Sequence, residues 1–118
     1  MQYDLEDRVS KFGSEIIMLC KQLDPYSPIN SPLIKQLIRS GTSIGANYME
    51  ANQASSKRDF INKIKIAQKE ANETKHWLRM IATATPEHSA KCQNLWSEAH
   101  ELVLILATIA KKSRNKIV

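Results

Sequence analysis

The feature that most constrains the fold is a repeat of apolar residues every three or four positions, in four segments separated by short connectors, two of which contain proline. The first segment shows it with Leu5, Val9, Phe12 and Ile16. Such spacing places apolar side chains on one face of an α-helix. Because the 118 residues include only 3 glycines and 4 prolines, the helices can be long. The sequence therefore predicts an all-α protein built from four amphipathic helices.

Capping signals set the limits of these helices. The first predicted helix stops before Pro25, because the residue preceding a proline avoids the α region. Ser31 followed by Pro32 supplies a cap and a first-turn proline, and Ser56 and Thr85 offer similar caps. Short connectors favour an antiparallel up-down-up-down four-helix bundle. The predicted helices lie at about 4–23, 32–53, 57–83 and 86–112.

Composition narrows the class of protein. With 42% hydrophobic and 25% charged residues, the chain fits a globular protein with one domain over residues 1–118. The beginning of the chain is polar, unlike a signal peptide. The apolar run 102–110 is too short for a bilayer, which needs about 20 residues. We expect a cytoplasmic protein with no membrane contact, in which Cys20 and Cys92 are reduced, buried thiols.

A polar stripe occupies the second predicted helix. Ser43, Asn47 and Glu50 recur at positions that share one helical face, in a segment otherwise suited to burial. Polar groups on a packed face need partners, since an unsatisfied one costs about 1–3 kcal/mol. Gly41 and Gly45, one turn apart, would let another helix approach closely. That helix belongs either to the same bundle or to a second subunit.

The register of the second and third helices predicts which residues of the third helix lie beside the polar stripe. If the two helices form a tight hairpin, Arg39 lies level with Glu70. We predict a partly buried Arg39–Glu70 ion pair, with Ser43 and Asn47 completing a polar network that also includes Glu50. The network would hold the two helices together.

Three motifs in the central third of the chain carry a family resemblance. R-S-x-x-S-I-x-x-N-x-x-E begins at Arg39, S-x-x-D-F begins at Ser56, and I-A-x-x-E-A-x-E-x-x-x-W-L begins at Ile66. This combination resembles the family of 23S rRNA intervening sequence proteins. The resemblance implies a small antiparallel four-helix bundle that assembles into a ring-shaped homopentamer. It also implies an RNA-related role and marks the polar positions Ser43, Asn47, Glu50 and Glu70.

The charge distribution favours a polyanionic partner. The net charge is +5, and residues 57–79 hold seven basic against three acidic residues. Such a surface attracts nucleic acid in a salt-dependent way. Without a base-reading motif, contacts to the RNA backbone or shape are expected. Alternatively, the lysines only solvate exposed faces. The candidate nucleic-acid contacts are Lys57, Arg58, Lys63, Lys65, Lys111, Lys112 and Arg114.

Signals for catalysis are weak. Glu73 and His76 form one E-x-x-H element, whereas carboxylate di-iron bundles use two. No phosphate-binding loop, nucleophile elbow or H-E-x-x-H occurs in the sequence. We therefore expect no enzyme activity and no catalytic, metal-binding or cofactor-binding residues.

The predicted function is that of a small basic homo-oligomeric helical bundle, a non-enzymatic accessory protein associated with RNA or another nucleic acid and linked to rRNA intervening sequences. The alternative is a protein–protein scaffold or assembly module without direct RNA recognition. The resemblance offers an example of the second kind, because a distantly similar bundle is the accessory protein of a retroelement reverse transcriptase. The partners expected are therefore further copies of the chain, RNA and, in the alternative, another protein.

Overall fold

The structure, a computed structural model, describes residues 4–115. Over that range the chain is all-α, as predicted, with four α-helices and no strands. We name them α1 (Leu5–Lys21), α2 (Asn30–Asn52), α3 (Lys57–Ala84) and α4 (Ser89–Asn115). None of these helices combines the length and apolar character needed to cross a membrane.

The helix ends follow side-chain caps at some positions and depart from prediction at others. The Ser56 hydroxyl accepts a hydrogen bond from the Asp59 backbone N–H at 3.0 Å, so α3 begins where its cap predicts. α2 starts at Asn30, two residues before its predicted start at Pro32, and its N-cap residue is Ile29, which makes no side-chain cap hydrogen bond, so the predicted Ser31 cap is wrong. The Ser27 hydroxyl accepts from the backbone N–H of Asn30 at 3.1 Å. Pro86 opens a 3-10 turn instead of α4 itself.

One hydrophobic core joins all four helices. α2 packs against both α1 and α3, and α3 packs against α4, whereas α1 and α4 touch only lightly. Cys20 and Cys92 are both buried and unpaired. Burial raises the pKa of the Cys20 thiol to about 11 and also raises the pKa of Cys92, so both thiols are neutral at pH 7. The largest fully buried apolar side chains are Phe12, Ile16, Leu19, Leu37, Ile44, Ile64, Leu78, Ile81, Leu102 and Leu106.

A close contact between α1 and α2 explains one of the two glycines of α2. A Cβ atom added to Gly41 would lie 2.9 Å from Cγ1 of Ile16, which is fully buried. One added to Gly45 would lie 3.5 Å from Cγ2 of Val9, an ordinary contact distance. Gly41 therefore serves packing within the subunit, and only this position requires glycine for the approach of α1.

Candidate nucleic-acid interface

The side of α3 that faces α2 carries acidic residues held by one arginine. Nη1 of Arg39 lies 3.2 Å from Oε1 of Glu70, and its Nη2 pairs with Glu73. The indole N–H of Trp77 donates to the same Glu73 carboxylate at 2.8 Å. Because the Arg39 side chain is 45% exposed, this cluster lies at the edge of the helix pair instead of inside it.

The remaining polar positions do not join that cluster. Ser43 donates to the backbone carbonyl of Arg39, and Asn47 donates to that of Ser43 at 2.8 Å. Both side chains thus donate hydrogen bonds to backbone carbonyls of their own helix, as Ser and Asn side chains commonly do. Glu50 accepts from Lys63 Nζ at 2.8 Å. The single network predicted from the sequence is therefore replaced by separate contacts.

A buried hydroxyl pair between α2 and α3 was not predicted. Oγ1 of Thr74 lies 3.0 Å from Oγ of Ser40 and 2.7 Å from the backbone carbonyl of Glu70. Both hydroxyl side chains belong to residues with 0% exposure. The sequence held a signal, because Thr74 occupies a position in the apolar stripe between Ala71 and Leu78.

The opposite side of α3 is basic. Seven residues at alternating spacings of four and three are all exposed: Arg58, Asn62, Lys65, Lys69, Asn72, His76 and Arg79. We call this set the outer stripe. It holds four basic residues and no acidic one. At about 1.5 Å per residue it runs roughly 30 Å along the helix. Within residues 4–115 its basic side chains form no ion pair.

The predicted nucleic-acid contacts fall into three groups. Arg58 and Lys65 belong to the outer stripe, and Lys57 is exposed just before it. Lys63 instead points toward α2, where its ammonium forms an ion pair with Glu50. This hydrogen-bonded pair raises the pKa of Lys63. The third group is exposed near the end of α4 and consists of Lys111, Lys112 and Arg114.

Two stripe members, Lys69 and Arg79, were missed by sequence reasoning. Both lie on the same helical line as Lys65, which the spacing of four and three could have shown. Selecting basic residues by their density along the chain included Lys63 and omitted these two. The helical face on which a lysine lies, and not the number of charges nearby in sequence, distinguishes the paired Lys63 from the exposed lysines of the outer stripe.

A groove between α3 and α4 adjoins the outer stripe. It is open to solvent, has a volume of about 310 Å³, and its lining includes Arg79, Gln93 and Trp96. The Trp96 ring is stacked on His100, with centroids 5.4 Å apart and planes 14° apart. Lys75 Nζ lies 4.8 Å from the Trp96 centroid and 3.1 Å from His100 Nδ1. We call the groove lined by Arg79, Gln93 and Trp96 the α3–α4 groove.

The two residues of the single E-x-x-H element, Glu73 and His76, are engaged in other contacts. Among residues 4–115 no group of three or more His, Cys, Asp or Glu side chains could hold a metal ion. Glu73 of the E-x-x-H element is engaged by Arg39 and Trp77, and His76 packs edge-on against the Trp77 ring.

Fold and charge together define a small four-helix all-α protein with one acid-free basic face. Residues 4–108 match the family described as 23S rRNA-intervening sequence protein, and the chain belongs to that family. The resemblance noted from the central motifs is thereby confirmed.

A solved structure extends the comparison to the fold. The chain is similar to a protein of unknown function from the S23 ribosomal protein family of Bacteroides thetaiotaomicron VPI-5482, with 38% identity and a TM-score of 0.79. The alignment covers 92% of this chain and 99% of that one, whose crystal structure has a resolution of 1.70 Å. No curated protein matches the chain.

Proposed function

We propose that this protein is a non-enzymatic accessory protein that associates with RNA through the outer stripe of α3. The observation that carries the proposal is the partition of charge on that helix. Glu70 and Glu73 are held by Arg39 on the α2 side, whereas Lys65 and Lys69 are exposed without an acidic partner among residues 4–115. Unpaired cations repeated along one face suit a phosphate backbone. The family's link to 23S rRNA-intervening sequences supports RNA as the polyanion.

The assembly we propose is an antiparallel bundle that forms a homopentameric ring in the cytoplasm. Antiparallel order is supported by the pairs Arg39–Glu70 and Glu50–Lys63, because residue numbers rise along α2 as they fall along α3. The ring follows from the family resemblance, and the exposed apolar residues Met18 (55%) and Leu104 (54%) are available for subunit contacts. A ring would repeat the outer stripe around its axis and concentrate positive potential.

A protein-binding scaffold is the second candidate function. Tyr26 and Ile29, in the connector between α1 and α2, are 92% and 65% exposed. Large exposed apolar side chains are typical of protein interfaces. In that case the basic residues would serve solubility, and binding to RNA would be absent even at low salt.

The deciding experiment measures binding to a labelled large-subunit rRNA fragment and to an unrelated RNA across a salt series. We expect tight binding that weakens steeply with salt and prefers the rRNA fragment. Lys65→Glu with Lys69→Glu should lower affinity roughly 10- to 100-fold at low salt and flatten the log–log salt slope by about 1.4–1.8.

The matched control changes net charge equally on other helices. Lys11→Glu with Lys35→Glu reverses two exposed lysines on α1 and α2. Affinity should fall much less than in the α3 variant, since these residues lie outside the outer stripe. Equal losses in both variants would contradict a defined interface, and absence of binding by the wild type would favour the scaffold.

A further inference from the structure

The α3–α4 groove has the build of a small ligand site. Buried Leu78 and Cys92 contribute apolar surface, Trp96 an aromatic ring, and Arg79, Ser89 and Gln93 polar groups. Its volume of about 310 Å³ lies at the lower end of the range for ligand pockets, about 300–1,000 Å³. Apolar surface with a few polar groups fits a planar, polar-edged ring.

The Trp96 indole is held in place before any ligand arrives. His100 stacks on it with planes 14° apart, and the Lys75 ammonium lies 4.8 Å from its centroid. Aromatic stacking and cation–π contact both restrict the ring. A ring fixed in this way loses little conformational freedom when a second ring packs against it.

The electrostatic surroundings favour an anionic ligand. No acidic residue belongs to the described lining of the groove, whereas Arg79 does. On α4, Glu98 lies 2.7 Å from Arg8 of α1, and Glu101 lies 3.1 Å from the same arginine. On α3, Glu73 is held by Arg39 on the side toward α2. These three glutamates, Glu73, Glu98 and Glu101, are thus engaged elsewhere.

Arg79 connects the groove to the outer stripe, because it is both the last basic residue of the stripe and a lining residue of the groove. We propose that the α3–α4 groove binds one unstacked nucleotide of a single-stranded RNA, with the base against Trp96 and its phosphate on Arg79. This inference rests on the proposed function, since the stripe must first bind the backbone that brings the nucleotide to the groove.

A groove of this kind selects single strands over duplexes. Bases in a duplex are stacked and paired, whereas bases of a single strand can turn outward and stack on an aromatic side chain. Stacking tolerates any base, because every base has a π face. The Gln93 amide can donate to or accept from a base edge.

The test compares a 12-nucleotide oligo(U) with a 12-base-pair RNA duplex. Trp96→Leu should weaken oligo(U) binding at least 5-fold, as expected for loss of one base–aromatic stack, and change duplex affinity less than about 2-fold. Trp77→Leu is the matched control, because it removes an indole that hydrogen-bonds to Glu73 outside the groove lining. It should leave the ratio of the two affinities unchanged.

Ultraviolet cross-linking of the wild-type protein to oligo(U) tests the same contact without a substitution. We expect the cross-linked peptide to contain Trp96. If RNA binds with equal affinity as single strand and duplex, and cross-links fall only on α3, the groove proposal is overturned and the proposed function stands. If the wild-type protein binds neither RNA, both are overturned.

Discussion

The two sides of α3 carry opposite charges with opposite surroundings. Toward α2, Glu70 and Glu73 are paired with Arg39, and Thr74 shares a buried hydroxyl contact with Ser40. Away from α2, the outer stripe is basic, exposed and free of ion pairs within residues 4–115. One helix therefore provides both a surface that joins another helix and a surface whose charges have no ion-pair partner among residues 4–115.

The difference teaches that pairing, not charge count, distinguishes structural charges from those available to a ligand. Lys63 and Lys65 are two residues apart, yet Lys63 pairs with Glu50 and Lys65 has no such partner among the described residues. Two positions along an α-helix differ by about 200° in direction. Charges close in sequence therefore belong to different surfaces with different roles.

Matched charge reversals on the two sides should produce the largest difference in stability. Glu70→Lys with Glu73→Lys replaces attraction to Arg39 by repulsion and removes the acceptor of the Trp77 indole. Because Arg39 is 45% exposed, we expect the free energy of unfolding to fall by only about 2 kcal/mol. Urea denaturation measures this change.

The comparison for that variant is Lys65→Glu with Lys69→Glu on the outer stripe. It reverses the same number of charges but breaks no ion pair among the described residues. The free energy of unfolding should change by less than about 0.5 kcal/mol. Similar losses in the two variants would mean that both sides of α3 contribute to folding.

A pair of threonine substitutions should produce a smaller difference. Thr74→Val keeps the volume of the buried side chain but removes its hydroxyl contact to Ser40, and we expect a loss of about 1 kcal/mol. Thr83→Val is the control, since the exposed Thr83 hydroxyl donates only to the carbonyl of Arg79. Chemical denaturation of the control should show a change within about 0.5 kcal/mol. If Thr74→Val is neutral, the hydroxyl pair does not stabilise the α2–α3 contact.

The helices were predictable because their signals are local. Apolar periodicity located all four, and the Ser56 cap marked the first residue of α3 correctly. The start of α4 was placed too early, because Pro86 suits the first position of a 3-10 turn as well as that of an α-helix. Helix ends depend on which hydrogen-bond pattern follows the cap, and composition does not decide this.

The candidate site was less predictable because it depends on the direction in which each side chain leaves its helix and on the residues that it contacts. Hairpin geometry placed Arg39 level with Glu70, and their side chains do meet. Periodicity did not reveal that Ser43 and Asn47 would bond to their own backbone. The groove beside Trp96 needed the packing of α3 on α4, which involves residues far apart in sequence.

The smallest expected effect is a gain in stability from a single change on the outer stripe. Lys65 and Lys69 stand four residues apart, so their charges repel along the helix surface. Lys65→Glu turns this repulsion into a favourable Glu–Lys pair in the preferred orientation, which should raise the free energy of unfolding by about 0.5 kcal/mol. The same change should weaken RNA binding, since it removes one cation of the proposed interface.

Salt provides the control for this last prediction. The gain should shrink in about 1 M salt, where the Debye length is only about 3 Å, and Lys65→Gln should give roughly half of it. Thermal denaturation at low and high salt measures both. A variant that is less stable than the wild type would show that Lys65 supports the fold, and the outer stripe would then resemble the α2 side. A variant that is more stable and binds RNA less tightly would show that the stripe carries repulsion which a bound polyanion relieves.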